Sequence, residues 1–363
     1  MEASPNRAAT WSDEFKNNIG IDARFLNNRL FLTANGFYNH AYNMLLERTG
    51  NVPISVGGSV AAENYGQANY FGYEFEIGWD DKINEDFRYG VSTRFSWSDN
   101  RVVKGDFNDV DALYPWNARP NQSTDRGQWG YDYLGMFKSQ DEINAYINEY
   151  NITAINLGEG SIPASNLKPG MLYYRDIRGP LQSDGTFAAA DGIVDENDQV
   201  LLKRRADNHY GFGVTLKAGY KSFAFDMVIA GSFGGWNEIQ ERDQLKNDIN
   251  RNFTSLPVIW GDIYDPVLNP TGTMPNPNWQ DTYNVSSEFW KVSSLTMRIT
   301  SFNLSYSLPK KITESLKISN ARVYLSGLNP FYLANPFTYK DPNAAWNSYP
   351  NLKTYSFGLN ISL

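Results

Sequence analysis

The sequence has 363 residues, a formal net charge of -8 and a mean hydropathy of -0.50, yet 15% of its residues are aromatic. The acidic balance argues against a nucleic-acid-binding protein, and no stretch approaches the roughly 18 consecutive apolar residues of a membrane helix. A transmembrane β-barrel is still allowed, because its strands alternate apolar and polar residues and so keep the mean hydropathy low.

Strict alternation of apolar and polar residues recurs along the chain and predicts two-faced β-strands. Several of the alternating segments are about 10 residues long, which is the length of a tilted strand that crosses a membrane. We predict about nine strands, at residues 15–25, 29–42, 71–80, 89–98, 210–220, 223–229, 294–308, 321–328 and 354–363.

The same alternation assigns each strand residue to one of two faces. The apolar face, which would meet lipid, is predicted to carry Ile19, Phe75, Val91, Val214, Phe225 and Phe357. The polar face, which would line the interior, is predicted to carry Asp22, Glu74, Arg94, Thr215, Asp226 and Ser356. Between Ile299 and Phe302 the alternation changes phase, and a β-bulge would account for this slip.

The links between the predicted strands alternate in length. Short or modest links, at 26–28, 81–86, 221–222 and 309–320, alternate with long links at 43–70, 102–207, 236–293 and 329–352. Outer-membrane barrels have short periplasmic turns and long extracellular loops. The pattern therefore predicts an all-β fold, a large antiparallel transmembrane β-barrel, whose first strand runs toward the periplasm.

Two of the long links contain helical patterns. Ser139 and Glu142 have the spacing of a capping box, and apolar residues follow at 143, 146, 147 and 150. Leu245, Ile249 and Phe253 have the spacing of a second helix. Because such stripes usually pack into a core, we expect both helices to pack inside folded loops.

Several motifs, in this order, resemble the C-terminal half of the SusC/RagA family, the TonB-dependent outer-membrane transporters of Bacteroidetes. The resemblance covers nearly the whole chain. It rests on the turn 25–29, the segments 64–74 and 131–142, Pro169-Gly170 with Asp176, Asp191 to Asp198, Asn329-Pro330, Asp341-Pro342 and the last residues 354–361. The closing Ser356, Gly358, Ile361 and Leu363 are also similar to the terminal signal by which the outer-membrane assembly machinery recognises barrels.

The resemblance implies a specific fold and function. Residues 1–363 would be the C-terminal portion of a plugged barrel of about 22 strands, with the signal peptide, the plug and the first strands absent. Nine strands with open edges would leave unpaired backbone groups in lipid, which agrees with a partial barrel. The implied function is TonB-dependent import of an oligosaccharide or oligopeptide across the outer membrane, with a SusD-like lipoprotein as a lid over the extracellular loops.

An acidic stretch is the one candidate metal site. Asp176, Asp191, Asp195 and Asp198 are oxygen donors, and Gly192 would allow a sharp turn, as in a Ca²⁺-binding loop. In the family that the chain resembles, the two pieces adjoin and look like an EF-hand loop, whereas here residues 180–190 interrupt it and Arg178 stands where a neutral or acidic ligand is expected. We predict a Ca²⁺ site, and the alternatives are an acidic turn or pairing with Lys203, Arg204 or Arg205.

Other functions are less well supported by the residues. His40 and His209 are the only histidines, neither has metal-ligand spacing, and no catalytic motif is present, so no enzyme is predicted. Loop tryptophans could stack on sugars, although we favour packing: Trp116, Trp129, Trp236, Trp260, Trp279 and Trp346. A passive porin and a soluble all-β carbohydrate-binding module are the remaining alternatives.

Overall fold

The computed structural model describes residues 6–48, 60–158, 160–239, 262–337, 340–344 and 348–362. The chain divides into two compact units, which we call the sheet unit and the loop unit. The sheet unit comprises Met1–Arg126, Asp207–Gly235 and Ser294–Leu363, and the loop unit comprises Gly127–Ala206 and Trp236–Ser293. The predicted helix at 245–253 lies outside the described residues.

The elements are numbered along the chain. The strands are β1 (Asp13–Phe25), β2 (Leu30–Leu46), β3 (Glu63–Lys82), β4 (Phe87–Lys104), β5 (Gln128–Gly130), β6 (Tyr133–Met136), β7 (Ala154–Ile155), β8 (Ile162–Pro163), β9 (Leu172–Tyr174), β10 (Arg178–Leu181), β11 (Phe187–Ala189), β12 (Ile193–Val194), β13 (Val200–Lys203), β14 (Tyr210–Tyr220), β15 (Phe223–Phe233), β16 (Asn237–Glu238), β17 (Lys291–Val292), β18 (Thr296–Ser307), β19 (Asn320–Leu328), β20 (Tyr332–Ala334) and β21 (Thr354–Ser362). The α-helices are α1 (Gln140–Tyr150), α2 (Gln280–Tyr283) and α3 (Lys310–Ser315). No helix in the described parts of the chain is long and apolar enough to cross a membrane.

The sheet unit is an antiparallel meander. Its strands follow one another in the order β1-β2-β3-β4-β14-β15-β18-β19-β21, and β20 adds a short pairing beside β18. These nine strands of the main path are the nine that the alternation predicts. The predicted all-β, antiparallel fold is therefore confirmed, with short links at one end of the sheet and long links at the other.

Strands β2 and β3 both extend into the link that the sequence predicts between them. β2 reaches Leu46 and β3 already begins at Glu63, whereas the sequence predicts a link over 43–70. Asn43 has a positive φ of 54°, and the register between β2 and β3 shifts between Ala41 and Met44. This irregularity interrupts the alternation, so the sequence pattern ends before the strand does.

The predicted β-bulge lies at Thr300. Val228 of β15 pairs with Ser301, whereas the next residue, Ile229, pairs with Ile299. Thr300 is thus the extra residue, and its hydroxyl donates a hydrogen bond to the carbonyl oxygen of Val228 at 3.1 Å. The bulge keeps apolar side chains on one face on both sides of the slip.

The link from β1 to β2 depends on an unusual backbone conformation. Leu26, Asn27 and Asn28 all have positive φ, at 53°, 57° and 66°. Asparagine tolerates this left-handed region better than other non-glycine residues, which explains the two asparagines. The hairpin from β14 to β15 similarly begins with Lys221 at φ 51°.

The loop unit has its own hydrophobic core. Ile143 and Tyr146 of α1 are buried in it, together with Phe137, Ile155, Leu172, Tyr174, Val194, Tyr283 and Trp290. Ser139 caps α1 by accepting the Glu142 N–H at 3.2 Å. The Glu142 carboxylate accepts the Lys138 N–H at 2.7 Å. A capping box would instead use the N–H of Ser139, the next residue. The prediction that this helix packs inside a folded loop is confirmed.

The two parts of this unit, 127–206 and 236–293, are distant in the sequence but contact each other. The Tyr131 N–H donates to the Ser286 carbonyl at 2.9 Å, and the Tyr174 hydroxyl donates to the Thr282 carbonyl at 2.8 Å. The Lys138 ammonium donates to the Gly272 carbonyl at 2.7 Å. Such contacts span more than a hundred residues and have no local sequence signature.

Candidate functional site

Strand pairing fixes the two faces of the sheet. In antiparallel strands, directly paired residues share a face, and the row that contains Phe75 also contains Ala34, Phe95 and Phe212. Extending these rows places all six residues of the predicted apolar face on one side and all six of the predicted polar face on the other. Large apolar side chains are exposed on the first face, with Phe357 at 79%. Such a continuous apolar surface suits contact with lipid or another apolar phase.

The polar face is a wall of hydrogen-bonded and charged groups. Arg94 Nε lies 2.9 Å from Glu76 Oε2, and the Thr33 hydroxyl donates to Asp22 Oδ1 at 2.7 Å. Because the arginine side chain is 68% exposed, this ion pair adds little to stability. Its charges are available to polar groups that approach the sheet.

Cavities lie against this polar wall in the part of the chain that the structure describes. One, of about 420 Å³, is bounded by Glu76, Arg94 and Gly213 among other residues. The absence of a side chain at Gly213 leaves room there, since a Cβ would meet only the Ile229 carbonyl oxygen at 3.5 Å. The second, of about 890 Å³, is lined by charged groups of both signs, Asp80, Asp81, Lys82, Arg88, Lys217 and Asp226. These cavity surfaces can bind polar ligands through hydrogen bonds and electrostatic attraction.

The predicted metal ligands lie in what we call the acidic hook, residues 176–178 together with 191–198. Asp198 Oδ1 accepts the backbone N–H groups of Ile177 at 2.7 Å and Arg178 at 3.0 Å. Its Oδ2 accepts the N–H of Asp195 at 2.8 Å, and Asp195 in turn accepts the N–H of Asn197 at 2.8 Å. Backbone donors thus hold these carboxylates and join the two parts of the hook.

Burial changes the protonation of the hook. The Asp198 side chain is completely buried, and this burial raises its pKa to about 6, although backbone N–H groups oppose the shift. Burial is also the main reason why the pKa of Asp176 is raised. Asp176 Oδ2 accepts the Gly192 N–H at 2.6 Å, whereas its Oδ1 is buried without a hydrogen-bond partner in the described chain.

The two parts of the hook are separated in the chain, unlike an uninterrupted Ca²⁺-binding loop. Residues 180–190, which interrupt the motif, form most of the hairpin β10–β11. Arg178 donates to the Gln199 carbonyl at 2.8 Å and lies over the Phe187 ring, so it is a packing residue. Among the described residues, no group of three or more His, Cys, Asp or Glu side chains could hold a metal ion. The Ca²⁺ site at Asp176, Asp191, Asp195 and Asp198 stays a prediction, which a structure determined with Ca²⁺ would test.

The remaining candidates are mostly packed. Trp236 and Trp279 lie beneath the ammonium groups of Lys291 and Lys168, at 5.0 Å and 5.1 Å from the ring centroids. Trp116 packs on Tyr114, Trp129 lies in β5, and Trp260 and Trp346 lie outside the described residues. His209 contacts Asp125, which sequence spacing could not reveal because the two residues are 84 positions apart.

Comparisons with known proteins agree with this architecture. TonB-dependent receptor P26 of Formosa agariphila is 25% identical over 99% of this chain, which covers 35% of the relative. TonB-dependent receptor SusC of Bacteroides thetaiotaomicron is 22% identical over 98% of this chain, which covers 32% of the relative. The RagAB peptide importer in its open-open state has a TM-score of 0.66 at 18% identity, with 99% of this chain and 35% of that chain covered. No family model matches the sequence.

The fold is thus that of an antiparallel barrel wall carrying long folded loops. The chain spans about one third of the length of the curated relatives it matches. Over nearly its whole length it resembles the TonB-dependent receptors of the SusC/RagA type, which confirms the resemblance indicated by the sequence motifs.

Proposed function

We propose that this chain forms part of the barrel wall and extracellular loops of a TonB-dependent importer in a bacterial outer membrane. The sheet would span the membrane with its apolar face toward lipid, and the loop unit would lie on the extracellular side. The cargo would be a bulky nutrient, an oligosaccharide or an oligopeptide, and a SusD-like lipoprotein would cover the loops.

The observation that carries the proposal is the two-faced meander. A continuous apolar face and a polar, cavity-bearing face on the same strands suit a wall between lipid and an aqueous interior. The relatives are named as TonB-dependent receptors and as a peptide importer, which supports import rather than catalysis. β1 and β21 end the strand path, and further strands of a longer protein would pair with them.

Two alternatives make different predictions. A passive porin would share the wall, but its transport would continue without TonB or an energised inner membrane. A soluble carbohydrate-binding module would be extracted without detergent, whereas a barrel wall partitions with the outer membrane. The exposed apolar face favours the membrane protein over the soluble module.

The test is uptake by cells that carry the complete gene. Labelled oligosaccharide and oligopeptide mixtures should enter wild-type cells, and uptake should stop when the gene or TonB is deleted. Uptake that persists without TonB would favour the porin.

A matched pair of variants tests the wall itself. Gly213→Trp would fill the smaller cavity on the polar face and should reduce uptake severalfold. Val214→Trp places the same side chain on the apolar face and should leave uptake unchanged at equal amounts of folded protein. Equal losses in the two variants would contradict the face assignment.

A further inference from the structure

His209 lies between two hydrogen-bond acceptors. Its Nδ1 is 2.5 Å from the Ser98 carbonyl oxygen, and its Nε2 is 2.7 Å from Asp125 Oδ2. The two side chains are nearly buried, at 10% and 3% exposure. All three residues belong to the sheet unit.

For both contacts to be hydrogen bonds, the pair must carry one proton more than a neutral imidazole and an ionised carboxylate do. A neutral imidazole has one N–H donor and one bare nitrogen, whereas the doubly protonated ring has two donors. A carbonyl oxygen and an ionised carboxylate can only accept. The two contacts are therefore both hydrogen bonds only when the His209–Asp125 pair has taken up a proton, on the ring or on the carboxyl group.

The pair joins two chain segments that share an edge of β4. Trp97 of β4 pairs with Tyr210, the first residue of β14. Farther along the same strand, the Val102 N–H donates to the Gln122 carbonyl at 2.8 Å, and the Asn121 N–H donates to the Val102 carbonyl at 2.7 Å. Segment 121–125 and β14 thus follow one another along β4, with His209 and Asp125 where they meet.

Other contacts place the pair at both ends of a long insertion. The Asp207 N–H also donates to Asp125 Oδ2, at 3.0 Å. Asp125 lies two residues before the stretch 127–206 and Asp207 immediately follows it, so the carboxylate receives donors from the far side of this stretch. A bond at this point therefore joins residues of the sheet unit that are separated along the chain by an 80-residue stretch, 127 to 206 inclusive.

Two further carboxylates lie near the ring. Asp99 and Asp207 line the same small cavity as His209. Asp99 is buried, accepts the Ser123 hydroxyl at 2.6 Å and pairs with Arg101 at 2.9 Å. The Asp125 N–H donates to the Ser123 hydroxyl at 3.1 Å, which connects this second carboxylate to the same segment.

We propose that His209 and Asp125 form a proton-dependent clasp that holds segment 121–125 and the start of β14 together on β4. The clasp is closed while the pair holds its additional proton. When a rise in pH removes that proton, one of the two contacts becomes a pair of facing acceptors and the clasp opens. Segment 121–125 and the start of β14 then separate from the edge of β4 more often.

Hydrogen exchange on the complete, detergent-solubilised transporter tests the clasp. Exchange corrected for intrinsic rates would be followed by mass spectrometry at pH 5.5 and 8.0, in peptides covering 119–127 and 205–211. Protection in the wild type should fall tenfold or more at the higher pH, while a peptide from β15 stays protected. His209→Gln and Asp125→Asn should each remove most of this pH dependence.

The second histidine provides a matched control. His40 Nδ1 contacts Asn69 Oδ1 at 2.6 Å, and a neutral ring can make that bond. His40→Gln should therefore retain the full pH response at 119–127. The proposal is overturned if wild-type protection there does not change with pH, or if His209→Gln and Asp125→Asn both respond as the wild type does. Migration on unheated gels would show that each variant is folded.

Discussion

At Asp198, burial and backbone hydrogen bonds have opposing effects on the pKa of the carboxyl group. Its raised pKa, about 6 against 3.8, means that the folded state binds a proton more tightly than the unfolded state. Stability therefore falls as the pH rises from about 4 to about 6, because the folded state must then keep a buried charge. We expect the thermal midpoint of the loop unit to fall by roughly 2–8 °C over this range.

Calorimetry of wild type and variants would check this dependence. Asp198→Asn cannot ionise and should lose the dependence, at the cost of lower stability at every pH, because an amide group matches three N–H donors poorly. Asp184→Asn is the control, since hydrogen bonds from Thr186 lower the pKa of Asp184 and its titration lies below this window. An unchanged pH profile in Asp198→Asn would contradict the assignment.

Lys221 gives a second prediction at the residue scale. It begins the hairpin between β14 and β15 with a positive φ of 51°, where glycine has no steric penalty. Lys221→Gly should stabilise the sheet by about 1 kcal/mol. Lys217→Gly, in the extended part of β14, should instead destabilise it by about 0.5–1 kcal/mol. Urea unfolding from lipid vesicles measures both, and effects of the same sign would refute the prediction.

At the scale of the element, the strands differ in what their two faces tolerate. Val214 is on the apolar face and Thr215 on the polar face of the same strand. Val214→Arg should cost about 2–4 kcal/mol if the apolar face meets lipid near mid-membrane, whereas Thr215→Arg should cost little. Equal losses of unfolding free energy in vesicles would show that the face assignment is wrong.

Strands of this kind can be predicted from sequence because the polarity of each side chain indicates the face of the sheet on which it lies. Alternation therefore locates all nine strands of the main path, and even the extra residue at Thr300 leaves a visible change of phase. β20 and α3 were missed because three and six residues, respectively, carry too short a pattern. The extension of β2 past Asn43 was missed because the positive φ breaks the alternation.

For the acidic hook, the sequence shows the candidate residues but not the groups that they contact. The four aspartates and Gly192 are visible in the sequence, but their partners are backbone N–H groups, which every residue except proline carries. The tertiary fold decides whether a carboxylate is partnered by a cation, a basic side chain or a backbone amide. Asp198, for example, accepts hydrogen bonds from the N–H groups of Ile177 and Arg178. The contact of His209 with Asp125 was likewise not predictable from spacing.

On the scale of the whole molecule, the absence of cysteine makes the orientation directly testable. Asn28 lies in a short link and is exposed, and Leu268 lies in the loop unit with 86% of its surface exposed. In intact cells, an impermeant maleimide should label Leu268→Cys and should label Asn28→Cys only after the outer membrane is opened. The reverse labelling pattern would mean that the sheet is inverted.

The bulge at Thr300 also bears on how such a wall can change during evolution. Successive side chains of a strand point alternately to the apolar and the polar face. The face on which a residue lies therefore depends on whether it is an odd or an even number of positions from a given residue, which we call its parity. A single insertion or deletion exchanges the two environments for every residue beyond it up to the next link. Links can therefore drift freely in length, whereas strands can change only in steps of two. Thr300 is a place where an odd number of residues can be accommodated, because its unpaired position restores the facing of residues between β15 and β18.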